Sequence, residues 1–455
     1  MKTTHILLSA IFTAYTLCAS AQTIVTLPQL FELAESQSGR ITVTKSSLEA
    51  AGEALATAKN AILPTINLSL SENYIGNATL TKRNFSTSGT TDVIVAGLGP
   101  QKVSNGRQDT PHWGNSLAVH ISQVIYAGGA ISSSIRQAEL GQEAASLDID
   151  RERQEVRLLL AGYYLDLYKL YNQREVIRKN IDLTRQTISL MEARHKQGSI
   201  LKSDITRYEL QLENLILTEV KLQESIDVIN NQITSMLHLA ADVSIQPDTA
   251  TFQKESAIPG REKSLEEWLY LADEHNLNIL ISDLGTELAT QRIKSTRAAS
   301  LPSVSIIAAD QLFGPYTNDL ISVNANVNTW FIGVGVNYNL SSLWHNKRAI
   351  NRSRIEARQS REKASLFREE IQNKVFAQYT HLNTAITELQ RQQKQLELAQ
   401  QNYNVMKRKY ENGLALVTEL TDAANLQLSA EIGLVDARVA ILYNYYQLRY
   451  FTSSL

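Results

Sequence analysis

KRAINRSRIEARQSREKASLFREEIQNKVFAQYTHLNTAITELQRQQKQLELAQQNYNVMKRKYEN, residues 347–412, decides how the rest of the chain is read. Apolar or small residues recur in it at alternating steps of three and four: Ile371, Val375, Leu382, Ala385, Leu389, Leu396, Ala399, Tyr403, Met406 and Tyr410. Gln378 and Gln392 alone break that register, and no Gly or Pro interrupts the stretch. A seam on a period near 3.5 marks a helix packed along its length against other helices. At 1.5 Å per residue such a rod is about 100 Å long, well beyond the helices of ordinary compact domains.

The same seam stands 215 positions earlier, as Val156, Leu160, Leu167, Leu170, Arg174, Ile177, Ile181, Thr184, Ile188, Met191 and His195, with Tyr163 at the position of Gln378. Both rods end on glycine, Gly198 in HKQGSILKSDI and Gly413 in YENGLALVTEL. Glycine takes the left-handed conformation that closes a helix. The chain therefore reads as two copies of one unit: a first repeat over 22–241, a polar linker over 242–263 with Pro247, Pro259 and Gly260, and a second repeat over 264–455.

Ahead of the repeats stands MKTTHILLSAIFTAYTLCASAQ, with one lysine, an apolar core from Ile6 to Leu17 and an Ala19-Ser20-Ala21 cleavage pattern. This reads as a Sec signal peptide over 1–21. Cys18, the only cysteine, leaves with it, and Leu17 just before it argues against a lipid anchor. A formal net charge of -2 and the lack of any polybasic run speak against nucleic acid as a partner. Beyond the signal no apolar run approaches the about 18 residues a membrane helix needs, so any membrane contact falls to strands.

Each repeat carries a candidate hairpin. Strands are expected at about 64–75 and 116–125 in the first, and at about 302–312 and 329–340 in the second. Ile66, Leu68 and Leu70 alternate with Thr65, Asn67 and Ser69, and Trp330, Ile332, Val334, Val336 and Tyr338 share one face. Long helices follow over 130–197 and 201–239, then over 345–411 and 417–450. Strands oily on one side and wet on the other suit a barrel wall in lipid, with Trp330 and Tyr338 as interface aromatics. Four strands per chain leave open edges that hydrocarbon does not tolerate. Closure takes several copies, and a conducting pore favours at least three.

The order and duplication of these elements resemble the TolC-like outer-membrane efflux protein family across the mature chain. The motifs that carry the likeness are the Leu63-Pro64 and Leu301-Pro302 strand entries, the Tyr126-Ala127-Gly128-Gly129 turn, and Gly198 and Gly413, each with an acid six positions on. The resemblance implies a homotrimer with a twelve-stranded outer-membrane β-barrel, four strands per chain, continued by a long α-helical coiled-coil tunnel in the periplasm. It implies an exit duct of a tripartite efflux or type I secretion system, working with a periplasmic adaptor and an inner-membrane transporter of RND, ABC or MFS type, and embedded in outer-membrane lipid. The loop over 74–113 would then face the exterior. Glu419 and Asp422 fall where the family lines its periplasmic aperture with acids, and three copies would ring six carboxylates that favour cations. Asp204 and Tyr410 match residues that tie the aperture shut, but Ala415 stands where the tie has an arginine. The closed mouth is accordingly expected to rest on packing and carboxylate-held ions.

An enzyme is the first competing reading. The eight histidines are scattered, no HExxH or Gly-x-Ser-x-Gly occurs, and no catalytic residue, metal ligand set or cofactor is expected. The second is a periplasmic or surface coiled-coil protein with a structural or adhesive role. It accounts for the rods but not for matched two-faced hairpins.

Overall fold

The computed structural model describes residues 23–76, 78–80, 92–95, 99–102, 106–108, 112–240, 243–248, 263–318, 321–323 and 325–455. The segment over 1–21 expected to be a signal peptide, with Cys18, lies outside them. In chain order the elements are β1 (Thr23–Val25), α1 (Leu27–Gln37), α2 (Gly39–Asn60), β2 (Thr65–Tyr74), β3 (Ala78–Leu80), β4 (Asp92–Val95), β5 (Gly99–Lys102), β6 (Gly106–Gln108) and β7 (Trp113–Ala127). They continue as α3 (Ala130–Lys196), α4 (Lys202–Met236), β8 (Ile245–Pro247), α5 (Leu265–His275) and α6 (Leu277–Ala298). The last are β9 (Ser303–Gly314), β10 (Tyr316–Asn318), β11 (Ile321–Val323), β12 (Val327–Asn337), α7 (Ser342–Glu411) and α8 (Val417–Phe451). Two compact units result. One holds Leu140–Glu287, Gln359–Leu455 and the described residues up to Ala51; the other holds the described residues of Gly52–Glu139 and Leu288–Arg358.

In the helical unit the seam residues face inward. Val156, Leu160, Leu167, Ile177, Ile181, Thr184 and Met191 are buried on α3, as are Ile371, Val375, Gln378, Leu382, Ala385, Ala399 and Tyr410 on α7. Each seam is covered by the short helix pair of its own repeat. Leu30, Ala34 and Ile41 pack with Val156, Leu160 and Leu167, while Trp268, Ala272 and Ile279 pack with Ile371, Val375 and Leu382. The short helices start alike: the backbone N–H of Thr26 donates to Gln29 and that of Ser264 to Glu267, satisfying groups that a helix start leaves open. Equivalent ion pairs then tie each short helix to its rod, Glu35 to Arg153 at 3.4 Å and Asp273 to Arg368 at 2.7 Å. The likeness between the two halves thus reaches single side chains, with Arg153 and Arg368 standing at the rod offset read from the sequence.

The linker departs from expectation. Ile245–Pro247 pairs in parallel with Thr23–Val25 as a two-stranded sheet, and Ile245 is buried in the first repeat's core. Asn230 of α4 accepts from the Ile245 backbone N–H at 2.8 Å, and Tyr164 donates its hydroxyl to the Val25 carbonyl at 2.9 Å. These side-chain bonds anchor strands too short to register as a period.

In the strand unit four strands run antiparallel in the order β12-β9-β7-β2. The return strand begins at Trp113 rather than near 116, and β12 stops at Asn337. Tyr338 therefore lies just past the strand it was expected to end, because the chain turns there toward α7 through Asn339. A bulge between Val124 and Tyr126 returns β7 to register with Val304. At its foot Gly128 (φ 63) is irreplaceable by an L residue: an added Cβ would stand 2.8 Å from Leu301 Cβ and 2.9 Å from the Ala298 carbonyl oxygen. Within the loop over 74–113, β3 pairs with β6 and β4 with β5 in short backbone ladders that the sequence reading did not expect.

Candidate functional site

Two places carry the residues singled out from sequence: the helical turns after α3 and α7, and the faces of the four-stranded sheet.

Both turns close by the same backbone device. The Ser199 N–H reaches back to the Arg194 carbonyl at 3.1 Å, the Leu414 N–H to the Lys409 carbonyl at 2.8 Å, and Gly198 (φ 73) and Gly413 (φ 72) supply the left-handed residue. Under them lies a core drawn from both repeats: Met191, Ile205 and Tyr208 with Tyr410, Val417 and Leu420. Ala415 packs partly buried against this cluster. The site where the family pattern has an arginine is thus occupied by a small side chain turned to the core.

The acids are placed unequally. Glu419 and Asp422 are exposed on the first two turns of α8, and Glu419 accepts a 2.9 Å bond from the Leu416 N–H, capping its own helix. Asp204, at the matching position of α4, is half-buried and makes no such bond among the described residues. Tyr410 is only 6% exposed, yet its hydroxyl has no hydrogen-bond partner among the described residues. Asp204 and Tyr410 come close enough to interact electrostatically without bonding. Burial first, and the Asp204 charge last, push the Tyr410 phenol above its usual range, while Arg194 pulls it back. Burial likewise raises Tyr208 and Tyr403.

Arg194 escaped the sequence reading. From the last turn of α3 it donates to the backbone carbonyls of Tyr410 at 3.3 Å and Glu411 at 2.9 Å, with its guanidinium 5.8 Å from the centre of the Tyr410 ring. A cation in the last helical turn is a legible signal, but its reach to another helix is not.

On the sheet, register assigns the faces. One carries Ile66, Leu68, Leu70, Leu117, Val119, Ile121, Ile306, Leu312, Trp330, Ile332, Val334 and Val336. Apart from the half-buried Val119 these apolar side chains are uncovered: Leu68 is 71% exposed, Ile332 71% and Trp330 74%. The other face carries Thr65, Asn67, Ser69, His120, Ser122, Gln311, Thr329, Gly333 and Gly335. Neither face is pure. Asp310 lies on the oily side, opposite Trp330, where Asn328 donates to it at 3.0 Å, and Phe331 projects from the wet side. β2 and β12 each pair along one side only, so the sheet ends in two open edges. Among the described residues no helix is long and apolar enough to cross a membrane, and no group of three or more His, Cys, Asp or Glu side chains could hold a metal ion.

A family model described as outer membrane efflux protein matches residues 30–237 and 268–452, one segment in each repeat. The chain belongs to the outer membrane efflux protein family. Among named relatives, the outer membrane protein TolC of Salmonella enteritidis is 19% identical over 288 residues, 62% of this chain and 56% of that protein. The chain thus aligns with little more than half the length of that relative. The solved structure of CusC matches with a TM-score of 0.77 at 14% identity, covering 97% of this chain and 95% of that one. VceC from Vibrio cholerae matches at 0.73 and 14%, covering 94% and 96%. The fold of this outer membrane efflux protein is therefore that of outer-membrane channels, mostly helical with few strands, at identities low enough that side-chain roles do not transfer with it.

Proposed function

We propose that three copies of the chain close a twelve-stranded barrel in the outer membrane and serve as the passive exit duct of a tripartite efflux or type I secretion system. The observation that carries the reading is the sheet, with an uncovered oily face, a mixed wet face and two open edges. In hydrocarbon every backbone group must find a partner, so open edges require neighbouring strands, and a second and third copy of β2 and β12 supply them. Family membership supports the outer membrane as the location. Uncovered apolar residues on single stripes of α4 (Leu210, Leu217, Val220, Val228) and α7 (Ile355, Leu366, Phe376, Leu398, Val405) support further helix packing between copies. A periplasmic adaptor and an inner-membrane transporter would deliver the cargo, after export of the chain by the signal over 1–21. Glu419 and Asp422, exposed at the start of α8, would form a carboxylate ring in the trimer that favours cations.

The test is extraction and conduction. Mature protein should require detergent, migrate as a heat-sensitive trimer and form cation-selective channels in planar bilayers. A monomer soluble in buffer alone would overturn the reading and restore the coiled-coil alternative.

A further inference from the structure

The geometry points to Arg194 as the residue that positions the mouth, by tying the turn of the second repeat to the rod of the first inside each protomer. This rests on the duct reading above and names the contact that sets how far its acidic turn can move.

A helix end leaves its last carbonyls without intrahelical partners, and those carbonyls form the negative pole of the helix. At the end of α7 the Arg194 fork takes two of them, on Tyr410 and Glu411, by charge-assisted bonds. The ring of Tyr410 lies against the same guanidinium. Three consequences follow. The fork and the ring act together, so lysine, a point charge, cannot reproduce the arrangement. The hold is on backbone rather than on the Tyr410 hydroxyl, which has no partner among the described residues. And α8 begins at Val417, six residues after Glu411, so the segment carrying Glu419 and Asp422 follows the clamped carbonyls directly. With Ala415 turned into the core, the equivalent cation of the second repeat is Lys409, exposed and without a side-chain bond among the described residues. The tie is one-way, from first repeat to second.

The experiment uses the full mature trimer in planar bilayers, with Arg194→Ala, Arg194→Lys and Lys196→Ala. Lys196 is an exposed cation two residues on that bonds nothing in the second turn among the described residues, so its variant removes the same charge without the tie. Arg194→Ala should raise the open fraction roughly tenfold, the shift expected when a charged hydrogen bond is lost from the closed state alone. Arg194→Lys should fall between, and Lys196→Ala should match the parent. Thermal dissociation of the trimer should stay near the parent's for all three, which separates positioning from general loss of structure. An Arg194→Ala channel as closed as the parent, or equal opening by Lys196→Ala, overturns the inference while leaving the duct intact. A parent protein that forms no channel overturns the duct reading instead.

Discussion

At the end of α3 an arginine reaches out of its own repeat, and at the end of α7 the equivalent residue, Lys409, stays in solvent. At the start of the next helices the asymmetry reverses. Glu419 folds back to cap α8, whereas Asp204 leaves the start of α4 without a side-chain cap. Yet the backbones of the two turns superpose in kind, with the same glycine, the same six-residue closure and an extended leucine, Leu201 or Leu416, before each helix. At the two turns the halves share what closes a helix and differ in what reaches from one helix to another, although along the rods the pairs Glu35 with Arg153 and Asp273 with Arg368 match. The buried residues behave like the glycines, and at the turns it is the charged side chains that differ.

The largest expected effects test whether the two short helix pairs are equivalent supports. Trp268→Ala should cost about 3–5 kcal/mol and Leu30→Ala about 2–5 kcal/mol, since both are fully buried against a rod. Denaturant unfolding of the detergent-solubilised protein measures both, and a Leu30 effect near zero would mean that only the second pair supports its rod.

Next come the turn glycines. An added methyl meets nothing within 4 Å at Gly198 or Gly413, so alanine introduces backbone strain alone, about 1–2 kcal/mol and equal at the two sites. Unequal losses in melting temperature would break the claim that the turns are equivalent.

The rod ion pairs are partly exposed and should be worth less. Arg368 bonds Asp273 and Asp283 with no second arginine on either among the described residues, whereas Arg157 shares Glu35 with Arg153. Arg368→Ala should therefore approach the upper end of the roughly 0.2–1 kcal/mol range for such pairs, and Arg153→Ala the lower.

The smallest effect sharpens the turn comparison. Tyr410→Phe removes a hydroxyl that makes no bond, so stability at neutral pH should change by less than about 0.5 kcal/mol. A separate signature appears in alkali. Tyr208, Tyr403 and Tyr410 all hold their protons more tightly when folded, chiefly through burial. Their contribution is complete below the unfolded phenol value of about 10 and is lost as pH rises above it. Phenolate absorbance should report ionisation coupled to melting of the turn cluster, and Tyr208→Phe should delay that alkaline loss.

Much of this architecture was legible because it repeats locally. Ile371 to Tyr410 lie on one helix face whatever surrounds them, and Ile66, Leu68 and Leu70 alternate whatever covers them. The Leu-Pro strand entries and the closing glycines mark positions that only special backbones accept. Asp310 on the oily face was hidden, since β9 carries apolar or small residues on both parities (Ile306, Ile307, Ala308, Ala309) and only the pairing with Trp330 shows which of its faces is the oily one. The β1–β8 ladder was hidden too, because three residues have no period.

Periodicity and backbone chemistry, both properties of neighbours along the chain, thus determined the rods, the hairpins, their duplication and the closing turns. Tertiary structure alone decided which charged group meets which carbonyl. Arg194 finds its partners 216 and 217 positions away, and nothing local to either end records that meeting.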